Sequence, residues 1–142
     1  MSRTFYNSYK AAVFNPTINP YSDTIKCAFL TSSYTPDYDA HDNFDDVSAY
    51  EISASGTYSA GGITLTNKTV TQDNTDNEGV FDCDDVSVTS ATITTRYAVF
   101  YKSTGTPSTS KLIALDDFGS NKSSSTGTFT YTIPAEGLFN SN

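Results

Sequence analysis

The segment 92–102 constrains the fold of this chain more than any other, because bulky side chains fill both of its alternating faces. Successive side chains of a β-strand point to opposite sides of the sheet. The alternation places two sets of residues on opposite faces: Ile93, Tyr97, Val99 and Tyr101 on one, and Arg96, Ala98 and Phe100 on the other. A strand that is bulky on both faces is typical of the centre of a sheet that is covered on both sides. We therefore predict a central strand here.

Weaker alternation predicts further strands on both sides of this segment. They are expected at 24–30, 50–55, 63–70, 79–88, 111–118 and 128–133. An Asp/Asn-rich turn is expected at 71–79, the loop of a long hairpin at 103–110, and a flexible Ser-rich loop at 119–127. About seven short strands separated by turns predict an all-β domain, a single β-sandwich of the Ig-like or jelly-roll-like kind.

The first 23 residues have a different character from the rest. We predict that residues 1–23 form an N-terminal aromatic arm and that residues 24–142 form the sandwich domain. Residues 8–14 have room for at most two helical turns before Asn15-Pro16 ends the helix. Two placements stay open for the arm: on a neighbouring subunit, or on its own domain.

A second unusual segment is the connection 31–47, which is rich in Pro, Asp and Asn. Seventeen residues are long for an idle loop, so we expect this segment to be ordered by packing or by a partner. Residues 45–48 are expected to form one helical turn inside it.

The net charge of the chain disfavours some classes of binding partner. The chain has 142 residues and a net charge of −8, and such a surface repels phosphate backbones and anionic lipids. We therefore expect neither nucleic acid nor membrane as a partner. An alternative that stays open is that the charge only provides solubility. No signal peptide is visible at the N-terminus. Cytosolic synthesis, with Cys27 and Cys83 unpaired, is the expectation.

Residues that could carry chemistry are few. His41 is the single histidine, and no nucleophile is singled out for it as a base. Adjacent carboxylates such as Asp84 and Asp85 point to opposite faces of a strand, so they form no acid/base pair by themselves. The acidic loop around Asp37 and Asp39 lacks the glycine and distal glutamate of an EF-hand. We expect no enzyme activity, no cofactor and no metal, while a calcium ion in an acidic loop stays open.

Several strings of residues, taken in order, resemble a family of small virion structural proteins of tailed bacteriophages. They span residues 23 to about 138, and their order is more specific than any single string. The first half contains Asp23-Thr24-Ile25-Lys26-Cys27-Ala28, Leu30-Thr31-Ser32-Ser33-Tyr34-Thr35-Pro36-Asp37, Asp45-Asp46-Val47-Ser48-Ala49, Ala60-Gly61-Gly62 and Leu65-Thr66-Asn67-Lys68-Thr69-Val70. The second half contains Asp84-Asp85-Val86, Ala91-Thr92-Ile93-Thr94, Ala98-Val99-Phe100-Tyr101 and Asp117-Phe118-Gly119.

The resemblance implies a non-enzymatic component of the phage particle, located in the virion after synthesis in the host cytoplasm. Our leading hypothesis is a capsid cement or decoration protein, a trimer or dimer that contacts the major capsid protein or neighbouring virion proteins. A neck, tail or fibre-associated protein is the alternative, and a carbohydrate-binding module for host attachment is the third hypothesis. Large aromatic side chains anchor protein interfaces well. The predicted interface residues are Phe5, Tyr6, Tyr9, Phe14, Tyr34, Tyr38 and Phe44.

Overall fold

A computed structural model describes residues 1–141 as eight β-strands, one α-helix and three short 3-10 turns. In chain order the strands and the helix are β1 (Ser2–Phe5), α1 (Asn7–Phe14), β2 (Ile25–Leu30), β3 (Ile63–Thr64), β4 (Thr69–Asp73), β5 (Glu78–Asp82), β6 (Val86–Lys102), β7 (Leu112–Tyr131) and β8 (Phe139–Ser141). The 3-10 turns are Phe44–Asp46, Ser48–Tyr50 and Pro107–Thr109.

The strands form two antiparallel sheets in a sandwich-like arrangement. One sheet has five strands in the order β1-β7-β6-β2-β3, and the smaller sheet has three in the order β4-β5-β8. The predicted all-β sandwich class is therefore confirmed, with eight strands in place of about seven.

The predicted central strand is confirmed as part of β6. It lies between β7 and β2, and Tyr97 through Tyr101 are all buried. Phe100 belongs to one apolar cluster and Val99 to a second cluster on the other face, so this sheet is covered on both sides. Ile93 was assigned to the wrong face: it packs with Phe100 rather than Tyr97. The reason is a break in the β6–β7 register between Thr95 and Tyr97, which reverses the alternation.

The hairpin β6–β7 is longer than predicted. The loop expected at 119–127 is instead part of β7, where Lys122, Ser123 and Ser124 pair with β6. Side-chain bonds stabilise this stretch: the hydroxyls of Thr94 and Ser123 lie 3.1 Å apart across the two strands. The Ser-rich composition therefore reflects a hydroxyl-lined ladder rather than a flexible loop.

Three other strand predictions need correction. The expected strand at 50–55 is reduced to two isolated bridges, between Glu51 and Leu30 and between Ser55 and Tyr58. The run 63–70 is divided into β3 and the start of β4, and the run 79–88 is divided into β5 and the start of β6. Strands β5 and β6 belong to different sheets, so residues 83–85 connect one sheet to the other.

The N-terminal segment packs on its own domain. Residues of β1 pair with β7 from Ser2–Asp117 to Phe5–Ala114 and form an edge of the large sheet. The helix expected over 8–14 is observed as α1, and it ends at Phe14 immediately before Asn15-Pro16. Within the described residues no helix is long and apolar enough to span a membrane.

Both cysteines are free thiols, as expected. Burial raises the pKa of Cys27 well above its ordinary value. Burial, with the neighbouring charges of Asp82, Asp84 and Asp85, raises the pKa of Cys83 to about 12. A protonated thiol is a poor nucleophile, so neither cysteine is suited to covalent chemistry.

Candidate functional site

The candidate site is an apolar groove between α1 and one face of the small sheet. Val70, Phe81 and Phe139 are paired in register across β4, β5 and β8 and lie in one row. Alternation along β5 keeps Glu78 and Asp82 on the opposite face from Phe81. The helix contributes Tyr9, Val13 and Phe14 to the other wall, and the groove encloses about 430 Å³.

Four aromatic rings form a continuous floor. Phe81 stacks on Phe139, Phe139 meets Phe5 edge to face, and Phe5 stacks on Tyr9, each pair with ring centroids 5.5 Å apart. Such separations are within the range of attractive aromatic pairs. The floor therefore joins the N-terminal segment to the small sheet.

The rim of the groove is apolar and exposed to solvent. Phe14 is 91% exposed, and Val13 and Val70 are each 58% exposed. Tyr21, which is 60% exposed, shares a shallow hollow with Val70. These four are most of the exposed large hydrophobic residues among residues 1–141, where Met1 and Tyr50 complete the set. Contiguous exposed apolar surface of this kind marks an interaction site.

Charge is sparse around the groove although the whole chain is acidic. Lys10 is the one charged residue among those that line it. Its Nζ donates a 3.3 Å hydrogen bond to Asn7 Oδ1 and forms no ion pair with any described residue. The groove is therefore a surface without carboxylates on a chain of charge −8.

A buried ion pair fixes the wall that β1 supplies. Arg3 donates two hydrogen bonds to the Asp116 carboxylate, from Nε to Oδ1 at 2.7 Å and from Nη2 to Oδ2 at 2.6 Å. Asp116 is fully buried, and it also accepts a hydrogen bond from the Tyr131 hydroxyl. The guanidinium lies 5.4 Å from the centre of the Phe139 ring at the groove floor. No sequence pattern pointed to this pair, because its members are 113 residues apart.

Three of the seven predicted interface residues converge on the groove. Phe5, Tyr9 and Phe14 line it together. The sequence predicted them as aromatic residues of the N-terminal arm, and the structure brings them together through β1 and α1. Val70, Phe81 and Phe139 are not among the predicted interface residues.

The other four predicted residues lie in the second apolar cluster. Tyr6, Tyr34 and Phe44 are buried and Tyr38 is partly buried. The Tyr34 hydroxyl is 3.0 Å from the Tyr6 hydroxyl and 2.9 Å from His41 Nδ1. Burial raises the pKa of Tyr34 to about 12. This chain of hydrogen bonds orders the segment 31–47 against the N-terminal segment.

A second hollow, of about 340 Å³, is lined in part by Lys26, Glu51 and Tyr101. Burial raises the pKa of Glu51, while hydrogen bonds from the Tyr58 hydroxyl at 2.7 Å and from the Gly61 amide at 2.8 Å act in the opposite direction. Both partners belong to the chain itself, so the carboxylate serves to fix the loop that carries Gly61.

The Asp37 carboxylate, considered from the sequence as a calcium ligand, makes its hydrogen bonds within its own loop. Asp37 accepts hydrogen bonds from the backbone amides of Asp39 and Ala40, which makes it a turn residue. Among the described residues, one group of three carboxylates, those of Asp76, Glu78 and Glu136, has oxygens that lie within 4.8 Å of one another. Exposed acidic groups of this kind are common without an ion.

Comparison with models of known families, with curated proteins and with solved structures finds no match for this chain.

Proposed function

We propose that this chain is a non-enzymatic structural protein of a tailed-phage particle and that it acts through protein–protein contacts, with the groove as a protein-binding surface. The observation that carries protein binding is the exposed apolar rim of Val13, Phe14 and Val70 around an aromatic floor. The phage assignment rests separately on the ordered strings between residues 23 and 138.

The chemistry of the groove supports recognition of protein rather than of a polar metabolite. Aromatic and aliphatic side chains supply most of its lining, and Lys10 is the single charged residue in it. Central aromatic anchors that lose water on contact dominate the energy of protein interfaces. Because β1 and its ion pair hold the walls in place, little ordering is required when a partner binds.

A capsid cement or decoration protein remains the leading form of this proposal. The expected mechanism is burial of apolar and aromatic surface at junctions between capsid subunits, which requires about 1,200–2,000 Å² of total buried surface for a stable contact. The acidic remainder of the surface is suited to the outside of a particle, because packaged DNA repels it.

The test is the copy number of this chain in purified particles, measured by quantitative mass spectrometry against the major capsid protein. A cement protein is expected in a fixed ratio to the capsid subunit, and a neck or tail protein in only a few copies per particle. Complete absence from the particles would refute the proposal.

Dependence on the groove is tested with Phe14→Asp. Particles that carry this variant are expected to lose the protein on washing and to release DNA at a lower temperature. Ala54→Asp adds the same charge at an exposed residue outside the groove lining and is the matched control. If the two variants are retained equally on washing and release DNA at the same temperature, the groove does not bind the chain to the particle.

A further inference from the structure

We propose that the groove is occupied by a second copy of this chain, in a two-fold dimer in which Phe14 of each copy enters the groove of the other. The inference rests on the proposed function only in treating the groove as a protein-binding surface. It adds the identity of the partner.

The first reason is that a projecting residue and a matching hollow lie side by side. A two-fold contact uses the same patch on both subunits, so that patch must be complementary to itself. Phe14 is the most exposed of the large hydrophobic residues, at 91%, and it stands at the edge of a groove with an aromatic floor. The same patch therefore contains both the exposed Phe14 side chain and the groove that could receive Phe14 of a second copy.

The local sequence explains why Phe14 is left uncovered by its own chain. It is the last residue of α1, and Asn15 leaves the helix with φ −129° and ψ 86°. Pro16 follows, and proline biases the residue before it away from the helical region. The chain turns away at this point, and no described residue covers the ring.

The size of the groove is sufficient for the proposed occupant. A cavity of about 150 Å³ in a protein interior is enough to hold benzene. The groove, at about 430 Å³, has room for the ring of Phe14 and for part of Val13 beside it. Aromatic partners are available on the floor, where Phe81 and Phe139 already stack on each other.

Charge distinguishes a second copy from a basic partner. Two chains of charge −8 repel each other over most of their surfaces. The groove lining contains no carboxylate, so here two copies can meet without placing acids against acids. A basic partner would find no acid in the groove and would meet Lys10 instead. The patch therefore favours an apolar partner with few charges, which is what a second copy of the same patch provides.

Sedimentation equilibrium of the purified full chain tests the proposal. The wild type is expected to reach twice the chain mass of 15.3 kDa as concentration rises, and no further. Loss of an aromatic anchor weakens an interface roughly 30-fold. Because a two-fold dimer contains two Phe14 contacts, Phe14→Asp removes both anchors and is expected to raise the dissociation constant about 1,000-fold. Ala54→Asp is expected to dimerise like the wild type.

A mixing experiment tests the two-fold geometry. Val70→Lys places a cation at the hollow and is expected to be monomeric alone, as is Phe14→Asp. In a mixed dimer, one contact joins the Asp of the Phe14→Asp chain to the Lys of the Val70→Lys chain. The other contact joins the unchanged Phe14 of the second chain to the unchanged Val70 of the first. Dimers are therefore expected in the mixture and in neither variant alone.

Three results would overturn the inference: a wild type that stays monomeric, a Phe14→Asp variant that dimerises like the wild type, or a mixture that fails to associate. None of these results depends on whether the chain is found in particles. A monomer that is nevertheless abundant in particles would leave the proposed function standing, with another virion protein in the groove.

Discussion

Arg3→Met is expected to destabilise the fold by about 3 kcal/mol. Asp116 is fully buried, and Arg3 supplies two of its hydrogen bonds and the opposite charge. Removing one partner of a buried ion pair costs about 3–5 kcal/mol, because the remaining charge is left without compensation. We take the lower end, since the Arg3 side chain is 18% exposed and Tyr131 still donates to the carboxylate. This loss is a large part of the roughly 5–15 kcal/mol that holds a typical domain together.

Urea denaturation followed by far-ultraviolet circular dichroism measures this loss, because the chain has no Trp to serve as a probe. The partly exposed pair Arg96–Asp117 provides the matched control: its atoms are 2.7 Å apart and its side chains are 31% and 29% exposed. Arg96→Met is expected to cost less than about 1 kcal/mol.

A second variant separates charge from packing. Arg3→Met combined with Asp116→Asn leaves a neutral amide that still accepts from Tyr131, and it is expected to recover more than half of the lost stability. The reasoning is refuted if Arg3→Met costs no more than Arg96→Met, or if the double variant is no more stable than Arg3→Met alone.

Three further predictions concern the rest of the molecule. Tyr34→Phe removes a buried hydroxyl that holds two hydrogen bonds and is expected to cost about 1–3 kcal/mol in urea denaturation. Gly62→Ala is expected to lower the melting temperature more than Gly105→Ala: both glycines have positive φ, but only at Gly62 would the new Cβ clash with a backbone oxygen, that of Cys27. Burial raises the pKa of Glu51 above 4.5, so its contribution to stability falls as pH rises from 4.5 through the raised folded pKa; Glu51→Gln is expected to lose that decline in melting temperature.

Each of these predictions has an outcome that contradicts it. They fail, respectively, if the Tyr34 variant is as stable as the wild type, if the two glycine variants melt together, or if the Glu51 variant keeps the same pH dependence. The glycine comparison also shows how much of the cost is steric, because both positions share the strain of a positive φ.

The parts of the fold that could be predicted are those set by side-chain pattern within one segment. Residues 97–101 are bulky on both faces, and this alone places them at the centre of a sheet. The end of α1 follows from the constraint that Pro16 puts on Asn15. These rules are local, so one sequence is enough to apply them.

The parts that could not be predicted depend on partners far away in sequence. Residues 2–5 show little alternation, and β1 exists because β7 offers backbone partners and Asp116 receives Arg3. The ladder at 122–124 depends on hydroxyls of the opposite strand such as Thr94. Local composition does not distinguish either arrangement from a loop.

The sequence predicts that aromatic residues form the candidate site, but it does not predict where in the fold that site lies. Aromatic side chains are used both in cores and at interfaces, and the sequence does not separate the two uses. Tyr6 and Phe44 are buried, whereas Phe14 is exposed. The difference depends on where each residue lies in the fold and on which residues pack against it. The groove needed the register of β4, β5 and β8 before its walls could be recognised.

Photo-crosslinking from position 14 tests the central claim most directly. A benzophenone amino acid replaces Phe14, which is exposed enough for the substitution to leave the fold intact, and the same amino acid at position 54 is the control. Irradiation of the purified chain is expected to give a covalent dimer from position 14 and none from position 54. Equal yields at the two positions, or no product from position 14 either in solution or in assembled particles, would contradict the claim that the groove binds protein.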